Sequence, residues 1–242
     1  MVPPKLRPGH RERSEQGFTL LEILATIALV ATLAAMLVPG IAKLRESGLR
    51  TKCAGNLKQI GAGLLAYAGE HQGELPPGGI WDREIAPYLG MDSPSVATQN
   101  KVLQCPRDPF KRSSGYARSY VASAFNPADP SNQVGVFSRW ANGAAVGSSI
   151  RLQALPRPSV TILVAELFNA DNRQFEKAFA YLLAPGWVPG SSSVPKLPDG
   201  SFYHGKGQNY LFCDGHVEIL APEGIRTDIP NWDGGRWRAL PR

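Results

Sequence analysis

Hydrophobic residues are concentrated near the amino end of the chain, in one uninterrupted run from Phe18 to Val38. The run contains no Lys, Arg, Asp or Asn, and Glu22 is its one charged residue. As a helix it would be about 31 Å long, which matches the hydrocarbon core of a bilayer. A buried core helix is the alternative, but core helices rarely present an apolar surface on all sides over this length. The pattern therefore predicts a transmembrane helix over residues 18–38.

A polar leader, residues 1–17, precedes this run. Its basic residues outnumber its acidic ones, with Lys5, Arg7, Arg11 and Arg13 against Glu12 and Glu15. A basic flank stays on the cytoplasmic side, so the remainder of the chain is expected outside. A secretory signal is cut after a shorter apolar core, whereas this run continues into a patterned helix.

After Pro39-Gly40 the pattern becomes amphipathic, and this pair is expected to kink the helix without ending it. Apolar residues then recur mostly at three- and four-residue steps, at Ile41, Leu44, Leu49, Cys53, Leu57, Ile60, Leu64 and Ala68. This spacing predicts an amphipathic continuation of the helix over residues 39–70. Between Ile41 and Ala68 the stretch also contains four glycines, Gly48, Gly55, Gly61 and Gly63. They either allow close packing or loosen the helix, and the sequence leaves both open.

Residues 71–242 alternate short apolar segments with turn residues, which predicts a globular α+β head. The clearest strand is Ser159–Glu166, because it is rich in β-branched residues. Residues 119–125 and 134–140 are predicted as further strands. Asp214-Gly215 lies between apolar runs and predicts a hairpin with a return strand at residues 217–220.

Composition limits the function classes. The 242 residues carry a net charge of +6 without a dense basic run, so nucleic-acid binding is not supported. No P-loop, GxSxG, HExxH or CxxC motif occurs, and we expect no enzyme activity. The three cysteines are Cys53, Cys105 and Cys213. Outside the cytoplasm they allow one disulfide, whose pairing these residues alone leave open.

The segment GFTLLEIL, beginning at Gly17 after a short basic leader, resembles the processing site of type IV pilins and type II secretion pseudopilins. The resemblance implies that a prepilin peptidase cuts after Gly17 and methylates the new amino terminus at Phe18. It also implies an assembly role for Glu22, which would pair with the terminal amine of a neighbouring subunit. Pro39 lies where many relatives have a helix-kinking proline.

Three further segments resemble a large group of pilin-like proteins: CAGNLKQIG from Cys53, CPRD from Cys105, and His204 followed after nine residues by Asp214-Gly215. This resemblance implies a Cys53–Cys105 disulfide and a pilin-like fold, with the long helix packed on an antiparallel sheet. Asp108 is expected to shape a turn, with metal ligation as the alternative.

The histidines near the carboxy-terminal hairpin raise the question of a metal site. His204, Asp214 and His216 are suitable ligand types, but their spacing is not that of a known site. No cofactor is expected to be required. Relatives that bind calcium near their carboxy-terminal strands make Asp214 the candidate oxygen ligand, although an Asp-Gly turn with His204 packed nearby is the simpler interpretation.

The resemblance implies a structural subunit of a type IV pilus or a type II secretion pseudopilus. Its expected partners are prepilin peptidase, other pilin or pseudopilin subunits, an inner-membrane assembly platform and membrane lipid. It would cross the bacterial inner membrane once, with a cytoplasmic leader and a periplasmic head, before joining the fibre. The alternative is a permanently anchored envelope protein whose head binds a ligand or polysaccharide, using the loop 184–200 and Trp187.

Overall fold

The computed structural model describes residues 18–125, 135–141, 144–176, 181–182, 203–205, 207–220, 225–226 and 238–239. Within these residues, one long helix is combined with a mixed β-sheet, an α+β arrangement consistent with the pilin-like fold. The chain divides into two compact units, residues 1–45 and residues 46–242. The leader and the loop 184–200 with Trp187 lie outside the described residues.

Helix α1 extends from Leu20 to Glu70, so the helix predicted on both sides of Pro39 is confirmed. Every side chain from Phe18 to Val38 is exposed. The helix is long and apolar enough to cross a membrane, judged by its length and composition. An apolar surface of this size is unfavourable in water, so it needs lipid or another protein to cover it.

The second part of α1 has an apolar stripe that is buried within the second unit. The stripe consists of Cys53, Leu57, Ile60, Leu64 and Ala68. These residues belong to one core cluster with side chains of the sheet, including Tyr120, Val164 and Leu211. The spacing of the stripe is that of one face of an α-helix, which is why the sequence pattern identified it.

The glycines of this helix differ in their surroundings. A Cβ on Gly61 would lie 3.0 Å from Leu211 Cδ1, and one on Gly63 would lie 3.4 Å from Leu89 Cδ2. By contrast, no atom lies within 4 Å of a Cβ placed on Gly48 or Gly55. Close packing therefore accounts for Gly61. A Cβ on Gly63 would make ordinary van der Waals contact, and nothing in the structure explains Gly48 or Gly55.

Short elements follow the helix. The helix α2 is Trp81–Glu84, and the strands are β1 Tyr120–Phe125, β2 Phe137–Ala141, β3 Ala144–Val146, β4 Ile162–Glu166, β5 Tyr181–Leu182, β6 Gln208–Phe212, β7 Val217–Leu220, β8 Ile225–Arg226 and β9 Arg238–Ala239. The main sheet has the order β3-β2-β1-β4-β6-β7, and β5 also pairs with β1. Strands β8 and β9 pair separately.

The sheet is mixed, so the expectation of an antiparallel sheet is wrong in part. Strand β1 pairs antiparallel with β4 but parallel with both β2 and β5. The connection to β2 approaches β1 closely at Gly135, where a Cβ would lie 2.3 Å from the backbone of Ala124. The parallel pairing of β1 with β2 depends on contacts between residues distant in the sequence. The alternation of apolar and polar residues in a strand does not show whether its neighbour runs parallel or antiparallel.

The predicted carboxy-terminal hairpin is confirmed by β6 and β7, which pair antiparallel from Gln208–Leu220 to Leu211–Val217. Its turn contains Gly215 at φ +89°, a conformation that favours glycine. Strand β4 is buried along its whole length, as its apolar sequence predicts.

The buried stripe makes a direct prediction for stability. We expect Leu64→Ala to lower the free energy of unfolding by about 2–5 kcal/mol, because it leaves a cavity in the core. The neighbouring Leu65→Ala should change it by less than about 1 kcal/mol, since Leu65 is 41% exposed. Denaturant titration of the purified full chain in detergent, followed by tryptophan fluorescence, measures both. Equal losses of unfolding free energy in the two variants would contradict a helix that buries Leu64 and exposes Leu65.

Candidate functional site

Helix α1 begins with reciprocal hydrogen bonds between Thr19 and Glu22. The Glu22 backbone N–H donates to Thr19 Oγ1 at 3.2 Å, and the Thr19 backbone N–H donates to Glu22 Oε2 at 3.2 Å. The Thr19 hydroxyl also donates to Oε2, at 3.2 Å. This arrangement is a capping box, and it holds the carboxylate near the positive end of the helix dipole. Glu22 therefore has a role within its own chain.

The residues of the expected processing site lie directly before this cap. Phe18 is described and is 81% exposed, whereas Gly17 lies outside the described residues. Cleavage after Gly17 and methylation of Phe18 stay predictions. The helix continues through Pro39 and Gly40, and the kink expected at Pro39 also stays a prediction.

A disulfide bond joins Cys53 of α1 to Cys105, the pair that the resemblance implies. Asn56 Nδ2 donates to the carbonyl of Gln104 at 2.9 Å, and the Tyr120 hydroxyl donates to the carbonyl of Cys53 at 3.3 Å. Burial and the nearby Glu166 carboxylate raise the pKa of the Tyr120 phenol well above its usual value, so the phenol keeps its proton. These contacts fasten the loop before β1 to the helix.

Asp108, at the end of the CPRD segment, bonds to neighbouring protein groups. Its Oδ1 accepts from the Phe110 backbone N–H at 3.1 Å. Its Oδ2 accepts from the Ser119 hydroxyl and from Arg112 Nη2, each at 2.7 Å. These contacts match the turn interpretation of Asp108. The adjacent Arg107 donates to the carbonyl of Tyr203 and pairs with Glu46 of α1.

Two buried polar side chains, His204 and Glu166, meet beside the disulfide. His204 Nε2 lies 3.0 Å from Glu166 Oε1 and 3.9 Å from Cys105 Sγ. Asn209 donates to Glu166 twice, from its backbone N–H to Oε2 at 2.8 Å and from Nδ2 to Oε1 at 3.0 Å. We call Cys53, Cys105, Glu166 and His204 the buried cluster. One donor atom from each lies within 4.8 Å of the others.

We expected His204 to lie near the Asp214 turn, and Glu166 was not predicted from the sequence. The partner of His204 is Glu166, at the end of β4. A carboxylate that closes an apolar, fully buried strand needs hydrogen-bond donors. That lone acid after Ile162–Ala165 is the signal that could have identified it.

Asp214 shapes the hairpin turn. Its Oδ1 accepts from the His216 backbone N–H at 3.1 Å, and the same oxygen contacts His216 Nδ1. The His216 ring stacks on Phe212, with centroids 4.2 Å apart. These contacts are those of an Asx turn, and calcium binding at Asp214 stays a prediction.

A cleft of about 360 Å³ opens beside the end of α1, lined in part by Tyr67, His71, Glu74 and Ser148. The rings of Tyr67 and His71 stack with centroids 3.8 Å apart. The pKa of the Tyr67 phenol is raised above its usual value. Burial is the main cause, and the Glu84 and Glu74 carboxylates add to it. Aromatic faces combined with a few polar groups are the usual lining of a small-molecule pocket.

Comparison with known proteins identifies one motif and one relative. Residues 13–38 match the family model described as the prokaryotic N-terminal methylation motif. The chain is 30% identical over 63 residues to the ComG operon protein 3 homolog of Bacillus licheniformis. That match covers 26% of this chain and 65% of the relative. No solved structure matches the chain.

Together these matches support a type IV pilin-like protein, and they indicate a structural subunit rather than an enzyme. The matched motif contains Gly17, Phe18 and Glu22, which are the residues that the resemblance singled out. The motif and the apolar helix fit membrane anchoring. The carboxy-terminal His204 and Asp214-Gly215 signature lies outside the matched motif.

Tyr88, whose ring meets that of Tyr67 edge-on with centroids 6.4 Å apart, provides a pH-dependent prediction. The Tyr88 hydroxyl donates to Glu70 Oε2 at 2.6 Å, and this hydrogen bond raises the pKa of Tyr88 to about 12. We expect Glu70→Gln to return the pKa of Tyr88 toward 10, because the phenolate no longer faces a carboxylate. Ultraviolet titration of the phenols, taken as the difference from the Tyr88→Phe variant, isolates this group. If Glu70→Gln leaves the titration curve of Tyr88 unchanged, the hydrogen bond to Glu70 is not the cause of the raised pKa.

Proposed function

We propose that this chain is a structural subunit that prepilin peptidase cuts between Gly17 and Phe18 and that then assembles into a type IV pilus or a type II secretion pseudopilus. The observation that carries the proposal is the methylation motif at residues 13–38, because its residues 20–38 form a helical segment with every side chain exposed. This segment needs a cover on all faces. Lipid supplies it before assembly, and neighbouring helices supply it in a fibre.

The exchange between these two covers is energetically feasible. Lipid chains and packed apolar side chains solvate a helix similarly, so moving from one to the other requires only a modest additional attraction. A charge pair within an apolar environment can provide it. Glu22 is suited to this role because the hydrogen bonds of its cap use Oε2, which leaves Oε1 for the terminal amine of a neighbour's Phe18.

The second unit supplies a rigid head. The Cys53–Cys105 disulfide and the buried stripe of α1 fix the helix to the sheet, so that a pull on the helix moves the head with it. In this proposal the leader is cytoplasmic and the head periplasmic while the subunit waits in the inner membrane. Its partners there are the peptidase, the assembly platform, lipid and other subunits.

A second candidate function is a permanently anchored envelope protein with a ligand-binding head. The cleft beside Tyr67 and His71 is the specific observation in its favour. The two candidates differ in their location. A fibre subunit is recovered in sheared fibres or secreted material, whereas an anchored receptor remains in the membrane fraction.

The processing step is tested on the protein from its native host. We expect intact mass and amino-terminal sequencing to show a chain that begins at methylated Phe18. Gly17→Ala should keep the full leader, because in this proposal the peptidase accepts only glycine, which has no Cβ, directly before the cut. Gly40→Ala serves as the matched control and should be cut normally. A wild-type chain that begins at Met1, or that is cut near residue 40, would overturn the proposal.

The assembly role of Glu22 is tested with two variants that separate charge from capping. Glu22→Gln removes the charge but keeps an acceptor for the capping box, while Glu22→Ala removes both. We expect both to insert into the membrane and both to reduce fibre yield at least about tenfold, since a hydrogen bond to a charged group contributes about 1.5–3 kcal/mol.

Quantitative blotting of sheared fibres and of membranes measures the two effects. A normal fibre yield for Glu22→Gln with a reduced yield for Glu22→Ala would assign the role of Glu22 to the helix cap alone. That outcome would contradict pairing with the amine of a neighbouring subunit.

A further inference from the structure

We propose that the buried cluster is a zinc site when its two cysteines are reduced. In this state Cys53 and Cys105 supply two thiolates, His204 supplies Nε2 and Glu166 supplies a carboxylate oxygen. Sulfur, imidazole and carboxylate donors are the ligands that zinc takes in proteins, usually four in a tetrahedron. The site concerns the folding of the head and goes beyond the proposed assembly function.

The positions of the donors fit this geometry. Ligands bound to zinc at about 2.0–2.3 Å in a tetrahedron lie about 3.3–3.8 Å from each other. His204 Nε2 is 3.0 Å from Glu166 Oε1 and 3.9 Å from Cys105 Sγ, and all four donor atoms lie within 4.8 Å of one another. Small side-chain rotations after reduction would therefore complete the tetrahedron without a backbone change.

The surroundings favour a closed, structural metal site. Cys53, Cys105, Glu166 and His204 are all buried, so solvent does not compete for the ion. Asn209 orients Glu166 through two hydrogen bonds, as groups around a metal centre do for its ligands. His204 Nδ1 is buried without a hydrogen-bond partner among the described residues, so Nε2 is the nitrogen that joins the ring to the cluster. Two thiolates select zinc over calcium, which prefers oxygen ligands.

Oxidation would release the ion. An external disulfide accepts two electrons from the two zinc-bound thiolates, which form the Cys53–Cys105 bond. The products are that bond, two thiolates from the external disulfide and free Zn²⁺. The same two cysteines would thus join α1 to the loop before β1 in both states, first through the metal and then through the disulfide.

The test uses the purified full chain in detergent, carrying a tag without histidine or cysteine. After reduction with a phosphine, which does not compete as a thiol ligand, zinc is titrated in competition with a chromophoric chelator. We expect one Zn²⁺ per reduced chain and none in the oxidised chain. His204→Ala and Glu166→Gln should each weaken binding at least about tenfold. Cys213→Ser is the matched control and should bind like the wild type.

A second measurement on the wild type does not depend on how the variants fold. X-ray absorption of the reduced zinc form should show two sulfur ligands and two nitrogen or oxygen ligands. The proposal fails if the reduced chain binds no zinc, if it loses its near-ultraviolet circular dichroism with zinc bound, or if sulfur is absent or exceeds two ligands. It also fails if His204→Ala and Glu166→Gln bind zinc as tightly as the wild type, because the ion would then sit on the cysteines alone.

Discussion

The packing of the α1 stripe against the sheet is the interaction on which the rest of the head depends. Cys53, Leu57, Ile60, Leu64 and Ala68 are all buried in one cluster with the inner face of the sheet. A helix with one apolar face gains most of its stability from covering that face. The disulfide, the CPRD turn and the buried cluster all lie at the Cys53 end of this contact, so their geometry requires the helix to be docked on the sheet.

The same helix carries a second apolar surface that its own chain does not cover within the described residues. Residues 18–38 are exposed on all sides. The two halves therefore have opposite requirements: one is satisfied within the folded head, and the other requires lipid or other chains. This division follows from the sequence pattern alone, since an apolar stripe suits packing on one face and an apolar cylinder suits a surrounding environment.

The local features of the fold could be predicted from the sequence. Helix α1, strand β4 and the Asp214-Gly215 hairpin each depend on residues close together in the chain, where periodicity and turn chemistry are informative. The Cys53–Cys105 pairing came from the resemblance, because three cysteines do not determine their own partners. The parallel pairing of β1 with β2 could not be read from the pattern. It depends on contacts between residues distant in the chain, such as the close approach of Gly135 to Ala124.

The buried cluster was unpredictable for a related reason. Glu166 and His204 meet at 3.0 Å although 38 positions separate them in the chain. A buried acid and imidazole of this kind lose favourable contacts with water, and apolar side chains of similar volume would often be at least as stabilising. Stability alone therefore gives little reason for them to be placed against a disulfide. Donor atoms converge instead from helix α1, the loop before β1, the end of β4 and the turn at residues 203–205, so their contacts fix how these four segments meet.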